Sequence, residues 1–186
     1  VEFFQRKEIR DLLAYLRLLN NPRDEEAFLR AIQSPPRGVG KTTIERLLQS
    51  ARQENISLWE AVRRAEEIPK LDRRARSKLA DFVQLWDRLA QAAHRPVEEI
   101  LGLVLSETGY REQFDADTKE AQQRLANIEE LLTACREFDE HYTGPSPLED
   151  FLEQASLVSD TDPWETEQDA VTLMTLHASK GFEFPV

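Results

Sequence analysis

Two prolines and two glycines fall within the stretch Pro35-Pro36-Arg37-Gly38-Val39-Gly40, and they limit what the chain around them can become. Proline lacks a backbone donor and restricts its predecessor, so a helical pattern running from Glu25 to Gln33 has to stop here. Two glycines one residue apart let the backbone turn through positive φ and leave its N–H groups uncovered. A second helical pattern leaves the turn from Thr43 to Gln53. Thr42 or Thr43 is its expected cap, and its first turn carries about half a positive charge from the helix dipole. Arg37 and Lys41 flank the turn. A helix–hairpin–helix of this kind offers amides, a dipole and two cations to one phosphate, which predicts a reader of the nucleic-acid backbone.

The run Gly38-Val39-Gly40-Lys41-Thr42-Thr43 also looks like the tail of a nucleotide P-loop. That motif needs a glycine five places before its last one, and a strand leading in. Position 35 is proline, and the lead-in Ala27-Phe28-Leu29-Arg30-Ala31-Ile32 is helical in context, so a P-loop enzyme is disfavoured. A plain interhelical turn with no ligand stays open.

A chain of 186 residues, 40% hydrophobic and 32% charged, can bury a real core and reads as a helix-rich globule. No apolar run approaches the length of a membrane span, and no signal-peptide start is present. A single cysteine, Cys135, excludes an internal disulfide framework and fits a reducing cytosol; its place on an apolar helical stripe predicts a buried thiol. The net charge of −11 opposes DNA binding until it is divided. Residues 30–95 hold 14 Lys and Arg against 8 Asp and Glu, whereas the rest of the chain holds 10 against 27. The basic share surrounds the hairpin, and local field steers a phosphate backbone.

Periodicity places the other helices. Phe4 to Leu19 repeats Ile9, Leu12, Leu13, Leu16 and Leu19 at helical spacing, with Arg6, Lys7, Arg10, Asp11 and Arg17 expected on a solvated face. Asp24 caps the helix that enters the hairpin. Ser57 caps a helix carrying Leu58 to Ala65, and a long helix follows from Asp72 to Ala93 with Trp86 on its apolar face. Trp59 and Trp86 are expected to be core anchors rather than base-stacking platforms. Val97 to Leu105 is a short apolar helix broken by Gly109, Thr118 to His141 another long one, and Ser146 or Pro147 opens a last helix to Val158. Residues 159–169 are acidic and aperiodic, which predicts a linker rather than a calcium loop. Ala170 to Leu176 is the one convincing strand. The fold expected is mainly α, a multi-helix body with one short β-strand stub near the C-terminus.

Four ordered segments resemble the UvrD/PcrA/Rep-type superfamily 1 DNA helicases. Phe3-Phe4-Gln5-Arg6-Lys7-Glu8-Ile9-Arg10-Asp11 with Ala14-Tyr15-Leu16-Arg17 is similar to the segment after motif IV. Asn21-Pro22 with Asp24, then Pro36-Arg37-Gly38-Val39-Gly40, is similar to the start of the family's helical 2B subdomain. Glu120-Ala121-Gln122-Gln123-Arg124 with Asn127-Ile128-Glu129-Glu130-Leu131 resembles a stretch within that subdomain. Val171 to Pro185 looks like motif V, with Phe182 where the family usually has leucine.

The resemblance implies residues 1–19 as a stub of motor subdomain 2A, 20–158 as the 2B subdomain, 159–169 as a linker, and 170–186 as a second 2A stub. It implies a regulatory part of an ATP-dependent DNA helicase acting in repair or replication in the cytoplasm. The Walker motifs lie elsewhere in such a protein, so no catalytic residue, cofactor or metal site is expected in these residues; ATP and magnesium belong to the parent. Duplex contacts map to Arg37, Gly38, Val39, Gly40, Lys41 and Thr43. The family often has an acidic residue at position 41 and a basic or small one at 42, which sets this hairpin apart. His177, Ser179 and Lys180 fall in the part of motif V that lies against single-stranded DNA, and Glu183 where a glutamate approaches the ATP sugar. The other class of function open to such a chain is a helical interaction module, recruiting repair or transcription proteins through its acidic half.

Overall fold

The computed structural model describes residues 3–114 and 117–159. The expected linker and the strand at Ala170–Leu176 lie outside the described residues, as do His177, Ser179, Lys180 and Glu183. Within them the fold is mainly α, with no strand: α1 (Lys7–Asn20), α2 (Glu25–Gln33), α3 (Lys41–Glu54), α4 (Leu58–Arg63), α5 (Arg73–Ala90), α6 (Val97–Thr108), α7 (Lys119–His141) and α8 (Pro147–Ser159), with three short 3-10 turns. Among the described residues, no helix is long and apolar enough to cross a membrane.

The expected helix starts rest on identifiable caps. Asp24, Asp72 and Thr118 each accept from the amide three residues on, and Ser57 forms a reciprocal capping box with Glu60. Three ends differ from expectation. The helix after Ser57 stops at Arg63 and continues as a 3-10 turn over Ala65–Glu67. Helix α5 ends at Ala90, because Ala92 and Ala93 donate to carbonyls only three residues back. Helix α6 continues to Thr108, where Gly109 at φ +62 ends it in the left-handed region.

Helix α1 is the axis of the body. It packs against α2, α5, α6, α7 and α8, and its side chains join one continuous apolar cluster with those of the later helices. Helix α1 therefore supplies a large share of the core. The solvated face expected for α1 is corrected at Asp11, which is 3% exposed; Glu8 beside it on the helix is 5% exposed. Both are paired. Asp11 accepts from Arg30 at 2.7 Å and from the Tyr110 hydroxyl at 2.8 Å. Glu8 accepts from the Asn127 amide, whose oxygen in turn accepts from Arg6 at 2.6 Å and Gln123 at 3.1 Å. A buried carboxylate is tolerable only when such donors replace water.

A second part of the core is aromatic. Phe28, Trp59, Phe82 and Trp86 meet edge to face, with centroids 5.0–6.4 Å apart. They join α2, α4 and α5, and both tryptophans are buried as expected. This cluster lies directly beneath the hairpin, since the Arg37 guanidinium stacks 5.4 Å from the Phe82 ring.

Candidate nucleic-acid interface

The turn between α2 and α3 begins at Ser34, whose amide still bonds back to Ala31. It carries a cis Ser34–Pro35 bond and one residue at positive φ, Gly38 at +75°. Gly40 stands at φ −83°, ψ 170°, ordinary extended backbone. The expectation that both glycines turn through positive φ is thus corrected: Gly38 alone requires it. Gly40 serves another purpose as the N-cap of α3, with its carbonyl accepting from Thr43 at 3.1 Å and Ile44 at 3.2 Å. Thr42 and Thr43, expected as caps, lie inside the first turn instead.

Because Gly40 has no side chain, nothing caps α3. Helices α2, α4, α5 and α7 each have their own side-chain cap. Helix α6 borrows one, since Asp139 of α7 accepts from Val97 N at 2.9 Å and Glu98 N at 2.8 Å. Helix α3 also has no acidic residue in its first turn. Among the described residues no side chain accepts from its first amides, and Gly38, Gly40, Lys41 and Thr42 around them are exposed. No Cβ at Gly38 or Gly40 would meet an atom within 4 Å, so the surface above both is open. The segment leading in is helix α2, whereas a nucleotide P-loop follows a strand.

The individual side chains divide into two sets. Lys41 is 91% exposed, with Glu45 3.8 Å from its Nζ. Thr43 is half-buried. Val39, expected at the duplex, is only 9% exposed and belongs to the core cluster. Arg37 is placed differently from expectation. Its Nη1 donates to the carbonyls of Ala31 at 2.8 Å and Pro35 at 3.1 Å, and its Nη2 donates to the Tyr15 hydroxyl oxygen. The phenol is 1% exposed, and burial pushes it up to about 12.

The fold links α3 to a second segment of the basic stretch 30–95, a link that sequence reasoning did not find. Arg46 of α3 donates to the Lys70 carbonyl at 2.5 Å, which ties α3 to the loop preceding α5. Lys70, Arg73 and Arg74 there are exposed and have no carboxylate partner among the described residues. Most other cations of the basic stretch are paired: Arg30 with Asp11, Arg63 with Asp87, Arg88 with Glu107. The signal lay in the composition of the loop at 70–74, but only the Arg46 contact shows which helix it accompanies.

Among the described residues the body is helical and presents, on a glycine turn, a helix start without a side-chain cap. A model of the UvrD-like helicase C-terminal domain matches residues 1–186. The ATP-dependent DNA helicase PcrA of Leuconostoc citreum is 40% identical over 192 residues, covering 100% of this chain and 26% of that protein. DNA helicase II of Escherichia coli K12 is 40% identical over 189 residues with the same coverage, and a PcrA helicase of Staphylococcus aureus is 38% identical over 192. The chain belongs to the UvrD-like helicase C-terminal domain family. It spans 26% of the length of these relatives.

Proposed function

We propose that this chain is the duplex-contacting, regulatory helical part of an ATP-dependent DNA helicase, corresponding to the 2B subdomain with flanking pieces of 2A. The observation that carries the proposal is the start of α3, where Gly38, Gly40, Lys41 and Thr42 are exposed and no side chain among the described residues caps the helix. A phosphate oxygen is the acceptor that such a site lacks. Lys41 adds an exposed cation, and Arg46 ties the same helix to the segment that carries exposed Lys70, Arg73 and Arg74. Thr43 offers a hydroxyl from the same turn. The relatives are named as DNA helicases, which supplies the polymer.

In this reading the rest of the protein binds and hydrolyses ATP with magnesium. His177, Ser179 and Lys180 lie against single-stranded DNA, and Glu183 approaches the ATP sugar. The described turn itself acts on duplex, holding the backbone ahead of the strand being separated. The experiment is duplex binding by the intact protein at several salt concentrations, with Lys41→Ala and Gly40→Val beside wild type. Lys41→Ala is expected to flatten the salt slope by about one unit, because one phosphate contact is lost. Gly40→Val is expected to weaken binding at every salt concentration by blocking close approach. Unchanged affinity and slope in both folded variants would leave the interaction-module reading in its place.

A further inference from the structure

We infer that Tyr15 and Arg37 form a clasp that sets the shape of the Gly38–Thr42 turn, making Arg37 a positioning residue for duplex binding rather than a phosphate contact. The inference rests on the reading of that turn as the duplex contact. Its geometry is independent of any ligand.

Arg37 immediately precedes the one residue of the turn at positive φ. Its planar guanidinium lies 5.6 Å from the Tyr15 ring and 5.4 Å from the Phe82 ring, so α1 and α5 hold it from two sides. Its donors go to Ala31 in the last turn of α2, to Pro35 in the turn, and to the Tyr15 hydroxyl. That hydroxyl has the Ala31 carbonyl at 2.8 Å and the Ser34 carbonyl at 2.5 Å to donate to. The final carbonyls of a helix lack intrahelical partners, and a cation there also opposes the negative end of the dipole. The clasp therefore gathers the end of α2 and the first half of the turn around one buried phenol. On the other side of Gly38, Val39 is seated in the core. With both neighbours fixed inward, Gly38 is held between them, and the exposed amides that follow inherit their direction.

The same bonds argue against a direct role for Arg37 with DNA. A guanidinium turned to a phosphate would abandon two backbone acceptors, a phenol and two ring faces. Lysine cannot substitute for it here, because an ammonium has neither the planar fork nor a face to stack. Arg37→Lys therefore removes the clasp while keeping the charge, which separates positioning from electrostatics.

The test uses the intact protein carrying Arg37→Lys, Tyr15→Phe, both together, Arg37→Gln, and Lys41→Ala as a marker of direct contact. Duplex affinity is measured across salt concentrations, alongside single-strand-stimulated ATP hydrolysis and amide exchange in residues 34–43. Arg37→Lys is expected to weaken duplex binding about tenfold, with a slope parallel to wild type, faster exchange in the turn, and unchanged single-strand-stimulated hydrolysis. Arg37→Gln should behave the same. Tyr15→Phe should move affinity in the same direction, and the double variant should fall short of the sum, since the two residues act through one contact.

Retained affinity in Arg37→Lys with a flattened slope in Arg37→Gln would make Arg37 a phosphate contact and overturn the clasp. Equal loss of hydrolysis and duplex binding would reduce Arg37 to a general folding role and overturn it too. A flattened slope in Lys41→Ala beside an unaffected Arg37→Lys defeats the clasp alone. If neither variant changes duplex binding, the reading of the turn itself fails.

Discussion

Asp11→Ala is expected to cost the helical body about 3 kcal/mol, the low end of what breaking a buried ion pair costs. The carboxylate is 3% exposed and accepts from Arg30 at 2.7 Å and Tyr110 at 2.8 Å. Removing it leaves the Tyr110 hydroxyl, in a residue 1% exposed, without an acceptor, which costs about 1–3 kcal/mol. Arg30 contributes less, because its side chain is 29% exposed and water can replace part of the lost bond. Tyr110→Phe should cost less, about 1–2 kcal/mol, since it removes one hydrogen bond to a charge and leaves Asp11 still held by Arg30. The assay is urea denaturation at neutral pH, followed by far-ultraviolet circular dichroism and by the fluorescence of buried Trp59 and Trp86. A loss below about 1 kcal/mol for Asp11→Ala would refute the reasoning. It would also show that α1 contributes less to the body than its packing against α2 and α5 to α8 implies.

The two glycines of the hairpin should respond differently: Gly38→Ala is expected to cost about 1–2 kcal/mol by the left-handed penalty, and Gly40→Ala much less, because its φ is −83°. Equal melting temperatures for the two variants would contradict this. Burial raises the Tyr15 phenol to about 12, so the unfolded chain, near 10, releases that proton first. The Tyr15 contribution to stability is whole below about pH 10 and is lost as pH climbs toward 12. Tyr15→Phe should flatten that alkaline decline in denaturation midpoints, and an unchanged pH profile would show otherwise. Cys135 is fully buried, and its thiol is pushed up chiefly by burial, with Asp139 and Glu98 adding to the effect. Alkylation at pH 8 should therefore track unfolding; rapid labelling of the native chain would contradict the packing.

Much of the fold was legible because helices are written locally. Apolar spacing located every described α-helix, and Asp24 and Ser57 announced starts through side chains that bond only three residues away, as Asp72 and Thr118 also do in the structure. Trp59 and Trp86 could be assigned to the core from their helical faces alone. The proline–glycine turn was visible for the same reason, since backbone restrictions act on the residue and its neighbour. What periodicity could not decide was which polar side chains are turned inward. Asp11 meets a partner 99 positions away, and Glu8 one 119 away, so no local pattern separates them from solvated charges. The Asp139 cap of α6 spans 42 positions. Arg37 illustrates the difference at the candidate site: its sequence neighbours promise a cation beside a phosphate-binding turn, yet Tyr15 and Phe82 come from other helices and draw it inside. The sequence by itself determined where the chain must turn and which helix starts there. The tertiary structure alone decided that Arg37 is held behind the turn by Ala31, Tyr15 and Phe82, because the groups that occupy a guanidinium converge only when distant helices pack.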